Sequence, residues 1–237
     1  MTPPATNAVH VLIYTRFPTP GEVKTRLIPK LGADGAATLQ RRMTENVLET
    51  VRRAAGLSDW TPIVCGMGAP PEHFREWLGN DLGVRRQAEG DLGVKLREGF
   101  ARSFAEGART VMAVGGDVPS LTPDLLKQAT ACLADADIVL GPATDGGYYL
   151  IAMNRLHPDV FEKIDWGTER VAGQTRDAMR RAHLEWVELR ELSDVDRPED
   201  LPAPNTNSSS PPRNPATQAH GKTDDTCVSQ NPAKELR

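Results

Sequence analysis

Thr110-Val-Met-Ala-Val-Gly-Gly-Asp-Val-Pro-Ser-Leu121 joins an uninterrupted apolar run to a glycine pair, a carboxylate and a proline. A short apolar run bounded by glycine predicts a strand covered on both faces, as in a parallel sheet. Asp117 then stands directly past the strand's C-terminal end. Working outward, strand and helix patterns alternate. Upstream lie strands at Val9–Tyr14, Ile63–Cys65 and Val84–Gln87, and helices at Ala33–Ala55 (stopped by Gly56), Pro71–Leu78 and Leu92–Phe104. Downstream the pattern predicts a helix over Pro123–Leu133, strands at Ile138–Leu140 and Tyr148–Met153, a helix over Glu169–Ala182 and a last strand at Glu185–Leu189. Such alternation predicts a single α/β domain, a mostly parallel sheet with helices on both faces.

That domain is expected to span residues 9–201, after a flexible start at 1–8. From 202 to 237 prolines are scattered through Ser, Asn, Thr and Gln with few large apolar residues, so this tail is expected to be disordered. The 237 residues are 39% hydrophobic and carry a net charge of -4, which argues against a broad phosphate-neutralising face for nucleic acid. It does not argue against a small phosphorylated ligand. Cys65, Cys132 and Cys227 have no zinc or disulfide spacing, which suggests a reducing compartment. No apolar run is long enough for a signal peptide or membrane span, so the expected location is the cytoplasm.

In open α/β sheets, ligands bind beyond the carboxyl ends of the strands. After the first strand the chain reads Arg16-Phe-Pro-Thr-Pro-Gly-Glu-Val-Lys-Thr-Arg-Leu27. Pro18 and Pro20 stiffen it, Gly21 permits a turn, and Lys24 and Arg26 offer a point charge and a bidentate fork to a polyphosphate. The spacing is neither a P-loop nor a dinucleotide fingerprint, and a surface turn with two solvated cations would read the same. Past the fourth strand, Gly115 and Gly116 would let backbone approach a ligand, and Asp117 could hold Mg²⁺ or Mn²⁺ or cap its own turn. Gly141-Pro-Ala-Thr-Asp-Gly-Gly-Tyr-Tyr-Leu150 places Asp145 between two strands. Asp-Gly alone is a common hairpin signal. Of Tyr148 and Tyr149, on opposite faces, one could meet a substrate while the other packs. In Leu192-Ser-Asp-Val-Asp-Arg-Pro-Glu-Asp-Leu201, Pro198 suits a helix start, and Asp194 and Asp196 could cap it or reach a metal.

Pro-x-Pro-Gly-x-Val-Lys-Thr-Arg-Leu, Gly-Asp-x-Pro-x-Leu, Gly-Pro-Ala-x-Asp-Gly-Gly-Tyr-Tyr-Leu and Asp-Val-Asp-x-Pro-Glu-Asp-Leu occur in this order between Val9 and Leu201. Together they resemble a bacterial family of GT-A-fold transferases labelled radical-SAM/selenodomain-associated or arsenosugar-biosynthesis glycosyltransferases. The resemblance implies a nucleotide-diphospho-sugar transferase fold. The last motif also resembles one in CMP-Kdo cytidylyltransferases whose leading Asp is a second metal ligand, here Asp196, although Arg197 stands where Thr is more usual. Gln87-Ala-Glu-Gly-Asp-Leu-Gly93 resembles a family element near the nucleotide, with Lys95 where Arg is more usual.

On these grounds Lys24, Arg26, Asp117 and Asp145 are expected to serve the chemistry. Arg16, Gly21, Lys24, Thr25, Arg26 and Asp91 would meet the nucleotide and its phosphates. Asp145, Gly146, Gly147 and Tyr148 would hold the substrate, and Asp117 and Asp196 a divalent Mg²⁺ or Mn²⁺. The implied activity is metal-dependent glycosyl transfer from a nucleotide sugar to a small-molecule acceptor. The alternative is nucleotidyl transfer from a nucleoside triphosphate to a phosphorylated small molecule, releasing pyrophosphate. A nucleotide-binding scaffold is a third reading, with less need of a metal carboxylate facing two cations. The histidines show no ligand spacing, and Trp60, Trp77, Trp166 and Trp186 read as isolated packing or lid residues.

Overall fold

Alternate residues of a strand face opposite sides of its sheet. In β1 (Val9–Arg16) Val9, Val11 and Ile13 enter one hydrophobic core and Leu12 the other. A computed structural model describes residues 8–56 and 59–201. The flanking segments 1–7 and 202–237, on which the expectations of a flexible start and a disordered tail fall, lie outside the described residues. After β1 come α1 (Ile28–Ala55), β2 (Trp60–Met67), α2 (Pro71–Leu78), β3 (Gly83–Arg86), α3 (Leu92–Ala105), β4 (Thr110–Gly115) and α4 (Pro123–Cys132). These are followed by β5 (Ile138–Pro142), β6 (Tyr148–Met153), α5 (Val171–Arg181) and β7 (Trp186–Glu188).

The strands form one seven-stranded sheet in the order β3-β2-β1-β4-β6-β5-β7. β6 pairs antiparallel with both β4 and β5, and the other pairings are parallel. One core packs α1, α2 and α4 against one face, through Val47, Val51, Phe74 and Leu126. The other packs α3 and α5 against the opposite face, through Leu96, Phe100 and Met179. The expected α/β sheet with helices on both faces is what forms.

The departures are local. α1 begins five residues early, but Gly32 leaves helical geometry (φ 72°, ψ 167°), so the continuous helix starts at Ala33 as the periodicity predicts. Short 3-10 turns at Thr25–Leu27 and Pro158–Phe161 were not anticipated. Cys65 is a buried free thiol. Among the described residues no helix is long and apolar enough to cross a membrane.

Candidate active site

Val23 and Leu27 are both buried, and they pin the segment between them to the body of the domain. Lys24 thereby takes a left-handed backbone (φ 45°, ψ 44°), uncommon for a residue with a side chain. Its side chain is only 5% exposed, and Nζ donates to Asp117 Oδ2 at 2.8 Å while lying 3.5 Å from Asp196 Oδ1. Arg26 is 64% exposed and hydrogen-bonds Asp196 Oδ2. The two expected cations thus reach the two expected metal carboxylates, from opposite ends of the sequence.

Asp117 hydrogen-bonds Lys24 rather than capping its own turn. The turn is set by Gly116, whose added Cβ would lie 2.8 Å from Thr15 Cβ. Gly116 therefore lets β4 close onto β1, where approach to a ligand had been expected. A buried hydroxyl network holds the junction. Thr44 Oγ1 donates to Gly116 O at 3.2 Å and lies 2.8 Å from Thr15 Oγ1, to which Gln40 Nε2 also donates.

Asp145 does make the local hairpin contact, accepting from Gly147 N at 2.8 Å, and it remains exposed to the cleft. Gly146 (φ 85°) carries the turn so close to the chain that a Cβ would sit 2.1 Å from Glu169 O, while Gly146 O accepts from Ala172 N at 2.9 Å. The segment around Glu169 is held by Asp165, which pairs with Arg170 at 3.0 Å and accepts from Thr168 Oγ1 and Gln174 Nε2. Tyr149 packs inward and donates to Arg190 O. Tyr148 lines the cleft with its ring edge-on to Trp166 (6.2 Å) and its hydroxyl buried without a hydrogen-bond partner. Trp166 is therefore part of the cleft wall.

Beyond β7 the chain continues along β5, through Leu192 N to Pro142 O and Thr144 N to Leu192 O, and so brings the late acidic segment to the same edge. Asp200 Oδ2 accepts from the N–H groups of Asp196 (3.0 Å) and Arg197 (2.6 Å), so the 3-10 turn at Pro198 is capped from within and Arg197 need not cap it. Asp194 lies among the site carboxylates. Burial first, then the charges of Asp145 and Asp117, push its carboxyl up to about 6, with Lys24 pulling the other way. Sequence left Asp194 and Asp196 as equals and the resemblance selected Asp196; the structure adds Asp194, along with Glu169 and Trp166, to the site.

Arg26, Asp117, Asp145, Trp166, Glu169, Asp194 and Asp196 line a cleft of about 1260 Å³, which Lys24 meets through its bonds to Asp117 and Asp196. A smaller, mostly apolar cleft of about 630 Å³ opens at the carboxyl ends of β2 and β3, beside Gln87 and Lys95. Arg16, Gly21, Lys24, Thr25 and Asp91 are not among the residues that line the main cleft. Gly21 supplies the expected turn (φ 84°), Thr25 opens the 3-10 turn, and Asp91 N-caps α3 by accepting from Val94 N at 2.9 Å.

A family profile described as an uncharacterized protein conserved in bacteria, DUF2064, matches residues 50–168. The chain belongs to this family. It is also 34% identical, with a TM-score of 0.76, to a solved Desulfovibrio desulfuricans protein described as a "putative nucleotide-diphospho-sugar transferase", over 81% of this chain and 83% of that one. More distant likenesses show the shared fold alone. One is a nucleotidyl transferase from Methanothermobacter (19% identity, TM-score 0.57, covering 82% and 94%). Another is a CMP:2-keto-3-deoxy-manno-octonic acid synthetase solved with CTP (12%, TM-score 0.53, covering 81% and 94%). No curated protein matches significantly. This DUF2064 chain therefore has the fold of nucleotide-diphospho-sugar transferases, with the Lys24, Arg26, Asp117 and Asp196 charge network at the carboxyl edge of the sheet.

Proposed function

We propose that the protein is a glycosyltransferase that binds a nucleotide-diphospho-sugar with its phosphates toward Lys24 and Arg26 and its sugar toward Asp145, Glu169 and Trp166. The observation that carries this reading is the make-up of one cleft. It joins Arg26 and the Lys24-paired Asp117 to an end lined by Asp145, Glu169 and the Trp166–Tyr148 pair. Sugar hydroxyls donate well to carboxylates, and an indole face suits the apolar face of a sugar ring. A phosphorylated acceptor would meet like charge there, since Arg170 at that end is already tied to Asp165.

Asp117, with Asp196 and Asp194 beside it, offers the hard oxygen donors that suit Mg²⁺ or Mn²⁺. Among the described residues no three His, Cys, Asp or Glu gather closely enough to hold a metal by themselves. Such an ion would then share its coordination with donor phosphates and water, as Mg²⁺ commonly does. When bound, it would supply charge neutralisation at the departing diphosphate. Lys24, desolvated, and Arg26, largely solvated, give the same kind of stabilisation from the protein side. An acceptor hydroxyl attacks the anomeric carbon, the bond to the diphosphate breaks, and the hydroxyl proton passes to a carboxylate of the acidic wall. The narrower label of radical-SAM/selenodomain-associated or arsenosugar-biosynthesis glycosyltransferase belongs to this same proposal.

The buried Lys24 favours a second reading, nucleotidyl transfer, because a cation held at the phosphate end also suits a triphosphate. A panel of nucleotide sugars with Mn²⁺ is expected to yield donor-dependent release of nucleoside diphosphate, lost in Asp117→Asn. Pyrophosphate release from a nucleoside triphosphate, with no nucleotide sugar consumed, would replace the first reading by the second.

A further inference from the structure

We infer that Lys24 is the free protein's own counter-ion at Asp117, so that a divalent cation and the donor's phosphates bind together far better than either binds alone. This rests on the phosphate and metal roles proposed above. The Lys24 ammonium is desolvated, hydrogen-bonded to Asp117 Oδ2 at 2.8 Å and 3.5 Å from Asp196 Oδ1. A divalent ion held by that same Asp117 oxygen would meet a like charge already bonded to it.

The ammonium must therefore move for the ion to enter, and it cannot be left buried without an anion. Its backbone gives it little freedom to withdraw. Lys24 lies in a strained left-handed conformation between the buried Val23 and Leu27, so only its side-chain torsions are free to redirect Nζ. Phosphate oxygens arriving beside Arg26 would provide the new partner. Ion and phosphates thus each remove an obstacle to the other, and by linkage the effect is reciprocal. Arg26 is the internal contrast. It is also a cation, but it is largely solvated and bonded to Asp196 rather than Asp117.

The test is Mn²⁺ binding, read from the loss of its free-ion paramagnetic resonance signal, with uridine diphosphate as the phosphate probe and the nucleotide's own chelation subtracted. Lys24→Gln should bind Mn²⁺ alone about tenfold more tightly than the wild type, within the 5–150-fold range usual for coupled sites. Uridine diphosphate should tighten Mn²⁺ on the wild type by a similar factor and on Lys24→Gln hardly at all. Arg26→Gln, which releases Asp196 and not Asp117, should weaken uridine diphosphate but tighten Mn²⁺ alone by much less than Lys24→Gln does. Equal Mn²⁺ affinity in wild type and Lys24→Gln overturns the inference, as does an equal gain in Arg26→Gln, which would reduce the effect to general field. In both cases loss of binding in Asp117→Asn leaves the metal reading standing. Unchanged binding in Asp117→Asn instead removes the metal reading, and the inference with it. Should Lys24→Gln not fold by circular dichroism, the wild-type measurement decides, and no tightening by uridine diphosphate is the overturning result.

Discussion

Gly146 and Gly167 have nearly the same positive φ, 85° and 82°, yet only one of them is hemmed in. A Cβ at Gly167 meets nothing within 4 Å, whereas one at Gly146 would lie 2.1 Å from Glu169 O. Alanine at either position costs backbone strain of about 1–3 kcal/mol. At Gly146 the clash with Glu169 adds about 1–3 kcal/mol and displaces the acidic wall. Urea unfolding should therefore rank Gly146→Ala below Gly167→Ala, and Gly146→Ala should also raise KM for the donor. Equal stabilities would mean that the Asp145–Gly147 turn can slide away from Glu169. In sequence, that stretch is indistinguishable from any Asp-Gly hairpin, because the neighbour that makes it special lies 23 positions on. Lys24, Arg26 and Asp117 were legible because each follows a strand whose apolar run is unmistakable. Asp194 and Asp196 were not separable, since what distinguishes them is contact with Lys24 and Arg26 from the opposite end of the chain.

The elements themselves were read well where one pattern dominates. α2 and β6 have the bounds that their periodicity predicts, and Gly32 breaks the first long helix where the helical pattern begins. The 3-10 turn at Pro158–Phe161 escaped because no period marks it, although Val160 and Phe161 are buried in the core. Trp77, expected to be an isolated packing residue, instead joins Phe17 and Phe74, with Phe17 and Trp77 edge to face at 5.8 Å. That cluster ties the start of the basic loop to α2. The meeting of β1, β4 and α1 at Gly116 makes the sharpest prediction on this scale. Gly116→Ala must separate Thr15 from the β4 turn, an overpacking cost of about 1–3 kcal/mol. Chemical denaturation should show that loss. Since the same turn carries Asp117, Mn²⁺ binding should weaken in the variant that still folds. Full stability in Gly116→Ala would show that the Thr15–Thr44 network yields more easily than its burial implies.

At both edges of the sheet, the outermost strand is fastened by a charged side chain to a helix. Arg85 on β3 bonds Ser103 Oγ (2.8 Å) and Glu106 at the end of α3, and Glu188 on β7 takes Arg176 of α5 through two hydrogen bonds of 2.6 and 3.0 Å. Burial alone would raise the Glu188 carboxyl, but hydrogen bonds from Arg176, the Arg176 charge and the Trp186 indole outweigh it and hold the group below its ordinary range. A carboxyl whose folded value is lowered stabilises the protein in full above its unfolded value, about 4.3, and loses that contribution as pH falls through the folded value. Glu188→Gln should therefore cost about 1.5–3 kcal/mol near neutral pH, the range for hydrogen bonds to a charged group. Below about pH 4.3 the wild type loses what the variant never had, so the two stability curves must converge as the carboxylate range is crossed. Urea unfolding from pH 7 down to pH 3 measures that convergence. A gap that persists at the acid end would assign the loss to packing between β7 and α5 and leave ionisation of the pair without a role in holding the sheet's edge.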